Sequence, residues 1–327
     1  MPKAIRFQQL GGPEVLKIED VPTRTPGEGE VLLKVAAVGL NRAESMYFHG
    51  QYMEKPQLPS GLGYEVAGTV LAVGPGVDPS LVGKQFATIP GYSQNKYPSL
   101  AEEAVVPAKN LAAVPDTLSP TEAAAVWMQY GTAWAGLVTS GKLQRGQTVL
   151  ITAAASSVGL AAIQIARDLG ATSIATTRQA GKKQQLLDLG ADHVIVTTEE
   201  DVPARMREIT GGKGVNLIYD PIGGDITPLA LGAAPRATYV LYGMLSGQPT
   251  PYPLAVFGTG FMMTASSIST DMNTDELRET AKSYIIERLK NGTFKPHIAR
   301  TFPFAQTVEA YQFLESNEQV GKVIITL

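Results

Sequence analysis

From residue 147 the chain alternates short apolar runs rich in β-branched residues with segments of helical periodicity, and it does so five times. "QTVLITA" (147–153), "SIATT" (173–177), "HVIV" (193–196), "VNLIYD" (215–220) and "ATYVLYG" (237–243) read as strands. Residues 157–169, about 180–189, 202–210 and a short stretch before 237 read as helices. Strands joined through helices pair in parallel, since a parallel neighbour needs a crossover of a dozen or more residues. Five such units predict an α/β domain with a doubly wound parallel sheet. "FMMTASSIS" (261–269) is a candidate sixth strand, and 276–291 has the pattern of an amphipathic helix.

The first strand hands over to its helix through "TAAASSVGLAAIQIARDLGA" (152–171). A dinucleotide fingerprint here reads G-x-G-x-x-G, with separate jobs for its glycines: a tight turn, close approach of pyrophosphate, and close helix–strand packing. This chain has Ala154, Ser156 and Gly159 at the three positions. Ala154 is a small substitute, the Ser156 hydroxyl is a candidate phosphate donor, and Gly159 keeps the third job. With Ala155, Ser157 and Val158 they form the candidate phosphate loop, at the positive end of a helix. Val158, Ala162, Ile165 and Leu169 lie at helical spacing and predict the face packed on the sheet. The competing reading is a doubly wound domain that binds something else.

The second strand decides which nucleotide. An NAD site places Asp or Glu at its end to hold the ribose hydroxyls. Here the end reads Ala175-Thr176-Thr177-Arg178-Gln179, and no acidic residue occurs between Asp168 and Asp188. Thr177, Arg178 and Lys182 are therefore candidate contacts to a 2′-phosphate, which a guanidinium or ammonium pairs and a carboxylate repels. The cofactor expected is NADPH. Lys183 reads as part of the solvated face of the next helix.

Residues 1–115 are different in kind: "EVLLKVAAVGL" (30–40) and "VAGTVLAVGPGV" (66–77) are β-rich runs bounded by Gly and Pro. The stretch 117–138 reads as one helix, with Ser119 as N-cap, Pro120 in the first turn and Glu122 completing a capping box. The chain of 327 residues contains no cysteine, which removes disulfides, thiolate nucleophiles and Cys-ligated metals. Its net charge is −3 with no basic run, so nucleic acid is not an expected partner. The N-terminus lacks a signal-peptide core, and the most apolar window, 149–166, carries Thr152, Ser156, Ser157 and Gln164. No membrane association and a cytoplasmic location are expected.

Taken in order, "VGLNRAE" (38–44), "LPSGLGYEVAGTVLAVGPGV" (58–77), "YGTAW" (130–134), "AAASSVGLAAIQIA" (153–166), "LGADHVI" (189–195), "GKGVNLIYDPIGG" (212–224) and "GKVIITL" (321–327) resemble the zinc-independent quinone oxidoreductases of the medium-chain dehydrogenase/reductase superfamily. The resemblance implies a GroES-like β-rich catalytic domain over 1–120 and 268–327, a Rossmann-like NADP-binding domain over 121–267, and an active site in the cleft between domains. Zinc-dependent relatives carry G-H-E where this chain has Gly63-Tyr64-Glu65, and His49, His193 and His297 show no ligand spacing, so no metal is expected. His193 reads as structural, and His297 as an exposed loop residue.

The same resemblance implies roles for single residues. Tyr52, in "HGQY", matches a tyrosine near the substrate carbonyl and is the candidate proton donor, with Tyr47, Tyr64 and His49 as alternates. Asn41 matches an asparagine near the nicotinamide ribose and substrate, Thr132 a threonine near the nicotinamide, and Tyr242-Gly243 a Phe-Gly pair whose backbone passes it. Three departures are Met244 for Asn, Thr197 for a tyrosine near the 2′-phosphate, and Asn317 where some relatives carry Arg toward that phosphate. Met46, Tyr47, Phe48, Tyr52 and Met53 form a soft aromatic run suited to a flat apolar substrate, and Met262-Met263 form a second patch. The expected function is zinc-independent hydride transfer from NADPH to small apolar quinones. The alternatives are reduction of α,β-unsaturated carbonyls (an enoyl or alkenal reductase) and a non-catalytic NADPH-binding sensor or structural protein. A homodimer is also implied, paired through a sheet-edge strand.

Overall fold

The computed structural model describes residues 1–327 and forms two compact units, Gln129–Lys295 and Met1–Met128 with Pro296–Leu327.

The Gln129–Lys295 unit is built on six strands in the order His193–Val196, Thr172–Thr177, Thr148–Ile151, Val215–Asp220, Ala233–Leu241, Met262–Ala265. Every neighbouring pair is parallel. The chain builds outward from Thr148–Ile151 in one direction, returns, and builds outward in the other. The order therefore reverses between Thr148–Ile151 and Val215–Asp220, and a doubly wound sheet opens its ligand crevice beyond the carboxyl ends of two such strands. Leu150, Ile174, Ile195, Ile218 and Tyr239 are fully buried in its core. All five expected strands are present. The sixth is shorter than "FMMTASSIS": after Ala265 the Ser267 side chain accepts the Thr270 N–H and caps a short helix, Ile268–Asp271. The first helix is Ser157–Leu169. Ala162 and Ile165 of its expected face are fully buried, and so are Ile163 and Ala166, so the helix is packed on more than one side.

The other unit holds a seven-stranded sheet ordered Ile298–Pro303, Lys322–Thr326, Glu30–Gly39, Glu65–Val73, Gln85–Thr88, Leu111–Ala113, with Glu103–Pro107 also paired to Glu30–Gly39. A three-stranded sheet, Lys17–Asp20, Lys3–Phe7, Ser60–Gly61, accompanies it. Lys322–Thr326 lies parallel to Ile298–Pro303 and antiparallel to Glu30–Gly39, with Ile324 opposite Gly39. Strands separated by nearly 300 residues of chain thus share one core, which includes Phe7, Leu33, Val38, Tyr47, Phe48, Val66, Val323 and Ile325.

The single helix expected over 117–138 is divided. The capping box at Ser119 and Glu122 forms, but the turn Pro120–Ala123 ends there, and a second helix, Trp127–Trp134, begins after a break. Met128 N–H donates to Glu65 Oε1 (2.9 Å), so a side-chain carboxylate caps the new helix start. Beyond Trp134 the helix widens into a π turn, Ala135–Ser140. The Tyr219 hydroxyl donates to the Thr132 carbonyl (2.9 Å), and a Cβ on Gly136 would fall 2.2 Å from the Tyr219 ring. A side chain inserted against the helix ladder is a sufficient cause of such a bulge.

Candidate active-site residues

The crevice side of the parallel sheet is shaped by two loops, Thr152–Ser156 and Pro221–Gly224. Ala153 makes the tight turn in a left-handed conformation (φ 47°), a geometry that glycine adopts at lower cost. Ser156 is the N-cap of Ser157–Leu169, and its Oγ accepts the Gly159 N–H (3.1 Å), which leaves its own proton for another acceptor. At Gly159 a Cβ would lie 2.5 Å from the Ala154 carbonyl oxygen, so only hydrogen fits. Ala155, Ser157 and Val158 complete the turn, with the first N–H groups of the helix at its open end.

Asp220, at the end of Val215–Asp220, ties the two loops together. Its carboxylate accepts from the Thr152 hydroxyl, from Ile222 N (3.2 Å) and Gly223 N (2.8 Å), and from the Tyr239 hydroxyl (2.6 Å). Nothing in the sequence singled it out; its signal was its place at the carboxyl end of the fourth strand. Tyr242 stacks on Tyr219 (centroids 4.0 Å, 16°), and its buried hydroxyl, beside Ser156, has no hydrogen-bond partner. At Gly243 a Cβ would lie 2.7 Å from the Pro221 carbonyl oxygen, which explains the glycine. Thr132 is buried in the helix Trp127–Trp134.

At the end of Thr172–Thr177, the Thr177 Oγ1 accepts the Gln179 N–H (3.1 Å) and turns the chain. Thr197 N donates to the Thr177 carbonyl (2.9 Å), so residues 177 and 197 adjoin. Arg178 is exposed, and its guanidinium makes no hydrogen bond or ion pair, whereas Lys183 pairs with Glu200 (3.5 Å). Lys182 ends the 3-10 turn Ala180–Lys182. This combination (a Cβ-free cradle, free helix N–H groups, an unpartnered tyrosine hydroxyl and an unpaired guanidinium) fits a phosphate-bearing dinucleotide.

In the other unit, Asn41 follows Glu30–Gly39 and precedes the helix Arg42–Phe48. Its Nδ2 donates to the Gly39 carbonyl (2.9 Å) and to Glu44 Oε1 (3.3 Å), and its Oδ1 accepts from Lys322 Nζ (2.5 Å). Lys322 also donates to Glu65 Oε2 (2.6 Å), and neither partner is exposed at all. Gly39 makes room for the ammonium: a Cβ there would lie 2.7 Å from Lys322 Cε. Glu44 is fully buried; its Oε1 also accepts Tyr64 N–H (3.2 Å), while its Oε2 has no partner. Burial lifts the Glu44 carboxyl from the ordinary 4.5 to about 7, against the opposing pull of the Lys322 ammonium. Sequence reasoning named Asn41 but missed Glu44 and Lys322 as its partners.

Tyr52 is half-buried and meets Tyr64 edge to face (centroids 6.3 Å, 66°). Burial raises its phenol, and the Tyr64 hydroxyl beside it pulls the other way. Of the alternates, Tyr47 is a core residue bonded to Ser60 (2.9 Å) and Asn95 (2.7 Å), and His49 is paired with Glu315 (3.1 Å). The aromatic run is therefore split: Tyr47 and Phe48 are interior, while Met53 is exposed. Asn317 has a left-handed backbone (φ 59°), accepts from Arg42 (2.7 Å) and donates to the Glu315 carbonyl (2.9 Å), so its side chain is engaged within this unit. His193 and His297 are both partly buried. No group of three or more His, Cys, Asp or Glu side chains converges as a metal ligand set. The residue between Gly63 and Glu65 is a phenol, and the Glu65 carboxylate already holds an ammonium, so this donor set does not fit a zinc ion.

Residues 27–116 match the family described as alcohol dehydrogenase GroES-like domain, and 157–284 the family described as zinc-binding dehydrogenase. The chain is 32% identical to a quinone oxidoreductase of Salmonella typhimurium, with 99% of each chain covered. It is 31% identical to a 2-haloacrylate reductase of Burkholderia sp, again over 99% of both. Among solved structures, the quinone oxidoreductase of Escherichia coli complexed with NADPH superposes with a TM-score of 0.91 at 31% identity, covering 99% of this chain and 100% of that one. No helix is long and apolar enough to cross a membrane.

Proposed function

This chain belongs to the quinone oxidoreductase family of the medium-chain dehydrogenase/reductase superfamily, and we propose that it transfers hydride from NADPH to a quinone without zinc. The observation that carries the reading is the Ala154–Gly159 turn, where Gly159 leaves no room for a Cβ and the buried Tyr242 hydroxyl lies unpartnered beside Ser156. Ala155, Ser156, Ser157 and Val158 hold the pyrophosphate through backbone N–H groups and the Ser156 proton. Arg178, with Thr177 and Lys182, takes the 2′-phosphate; its guanidinium is unpaired and no carboxylate stands at that strand end. Thr132, Tyr242 and Gly243 border the nicotinamide, which supplies the hydride.

On the substrate side, Tyr52 donates its proton to the carbonyl oxygen as charge develops there. Asn41 acts by holding the Lys322 ammonium and the Glu44 carboxyl in place, since its own amide is fully engaged. Asn317 is engaged with Arg42, so Arg178 is the cation on which the 2′-phosphate depends. The zinc-free part of the proposal rests on Tyr64 and on the Lys322–Glu65 pair. A second reading, reduction of an activated carbon–carbon double bond, is favoured by the likeness to a 2-haloacrylate reductase. The edge strand Met262–Ala265, with Met262 more than half exposed and Leu254 and Phe257 exposed nearby, supports a homodimer joined at that edge.

The test is oxidation of NADPH and NADH by chelator-treated protein with 1,4-benzoquinone, 9,10-phenanthrenequinone, trans-2-hexenal and 1-octen-3-one side by side. NADPH-selective turnover of the quinones is expected. Preference for the enal and enone selects the second reading, and failure to bind either nucleotide overturns both. Light scattering on the eluted protein reads the dimer.

A further inference from the structure

Tyr64 is set more rigidly than a residue that merely fills space. Its N–H donates to Glu44 Oε1 (3.2 Å), and its carbonyl accepts from Thr88 Oγ1 (3.1 Å) and from the Tyr92 hydroxyl. On one side stands Gly63 at φ 116°, where a Cβ would lie 2.5 Å from Leu100 N. On the other stands Glu65, locked onto Lys322 and Met128 N. Edge-to-face contacts with Tyr52 and Tyr92 (6.3 and 5.7 Å between centroids) fix the ring plane. Tyr52 has no such clamp: its backbone makes one bond, from its N–H to the Met46 carbonyl (3.0 Å), and its ring is half-buried. A clamped phenol beside one held by a single backbone bond is the arrangement of a support and the group it orients.

We infer that Tyr64 is the positioning residue for Tyr52: its hydroxyl donates to the Tyr52 phenolic oxygen, which turns the Tyr52 proton outward and holds the charge left when that proton is given up. The step is a proton transfer. Once hydride has reached the substrate carbon, the O–H bond of Tyr52 breaks and a new one forms on the substrate oxygen. The Tyr52 phenolate keeps the Tyr64 hydrogen bond until solvent returns a proton. The mutual influence of the two groups has this polarity, with the contact lowering Tyr52 and raising Tyr64. Glu44, Glu54 and Tyr92 are the other titratable groups facing the pair, and the two carboxyl groups disfavour a phenolate, so the supporting donor is needed. The inference rests on the proposed role of Tyr52 as proton donor.

Tyr64→Phe deletes the hydroxyl and keeps the ring contacts. With NADPH and whichever quinone or enone the wild type turns over, kcat is expected to fall about three- to tenfold, the worth of one hydrogen bond, with KM unchanged. The alkaline limb of the kcat profile is expected to move to higher pH, because the phenolate of Tyr52 has lost its donor. Tyr52→Phe should lower kcat at least as far, and the double variant should fall no further than Tyr52→Phe alone. Tyr92→Phe, which removes a bond to the Tyr64 carbonyl, is the structural control and should leave the alkaline limb in place. A normal kcat and pH profile in Tyr64→Phe overturns the inference while leaving Tyr52 as donor, and so do losses that simply multiply in the double variant. Full activity of Tyr52→Phe overturns the donor role of Tyr52 and the inference with it.

Discussion

Glu44, Glu65 and Lys322 are three ionisable groups with no exposed surface and only one positive charge among them. Lys322 Nζ lies 2.6 Å from Glu65 Oε2, so that pair balances itself, and ionising Glu44 as well leaves the buried cluster at −1. The Glu44 Oε2 has no donor to receive that charge. The proton therefore stays on Glu44 far longer than on an exposed carboxyl, with a folded value of about 7 against 4.5 in the open chain. Since the folded value is the higher one, the native state binds more protons than the unfolded chain between these limits, and stability falls as pH rises through them. At ~1.4 kcal/mol per unit the interval amounts to about 3 kcal/mol, fully developed above pH 8 and absent below pH 4. Glu44→Gln keeps an oxygen for Asn41 Nδ2 and Tyr64 N–H but cannot ionise. Urea unfolding of both proteins from pH 5 to 8.5 should show the variant gaining on the wild type by roughly 2–3 kcal/mol across that range. The phenols of Tyr52, Tyr64, Tyr92 and Tyr311, which also face Glu44, are pushed up from 10 and stay protonated across that range, so they do not enter the difference. A difference between the two proteins that does not change with pH would refute the reasoning, because it would put a permanent charge on Glu44.

Two smaller changes probe the crevice loops. Ala153→Gly should raise unfolding stability by roughly 0.5–1 kcal/mol, since Ala153 occupies a left-handed conformation that glycine enters without a Cβ penalty; a lower midpoint in urea would mean that the alanine methyl packs usefully. Arg178→Ala should weaken NADPH binding about tenfold, the loss of a charge-assisted contact, with NADH binding unchanged when both are followed by quenching of intrinsic fluorescence; equal losses for the two nucleotides would remove Arg178 from the 2′-phosphate.

The parallel sheet was legible because each of its strands is a short β-branched run flanked by its own helix, so local pattern and global topology agree. Gly159 was legible for the same reason: its need is set by Ala154, five residues away. The break in the 117–138 helix was not, because it comes from Glu65, some sixty residues distant, capturing the Met128 N–H. The Asn41 environment was hidden for a stronger version of that reason. Its partner Lys322 lies 281 residues along the chain, and a lysine in "GKVIITL" looks like a solvated strand end until the pairing of Ile324 with Gly39 places it beside Glu65. The amide of Asn41 serves the network rather than standing free for a ligand. Asp220 has a similar history: its four donors come from two loops and a neighbouring strand, which no spacing rule relates.

The position of Lys322–Thr326 inside its sheet has a consequence for how the protein is made. The Gln129–Lys295 unit is continuous in sequence and has its whole core available once residue 295 has emerged from the ribosome. Residues 1–128 emerge earlier but lack one of the strands that flank Glu30–Gly39, and Glu44 and Glu65 lack their only cation, until residue 326 has been synthesised. The segment made first is thus the last to finish folding, and for the intervening two hundred residues of translation it presents an open strand edge at Ala37–Gly39 to its surroundings. At about 5–20 residues per second that interval is roughly 10–40 seconds, long enough for a chaperone to engage it.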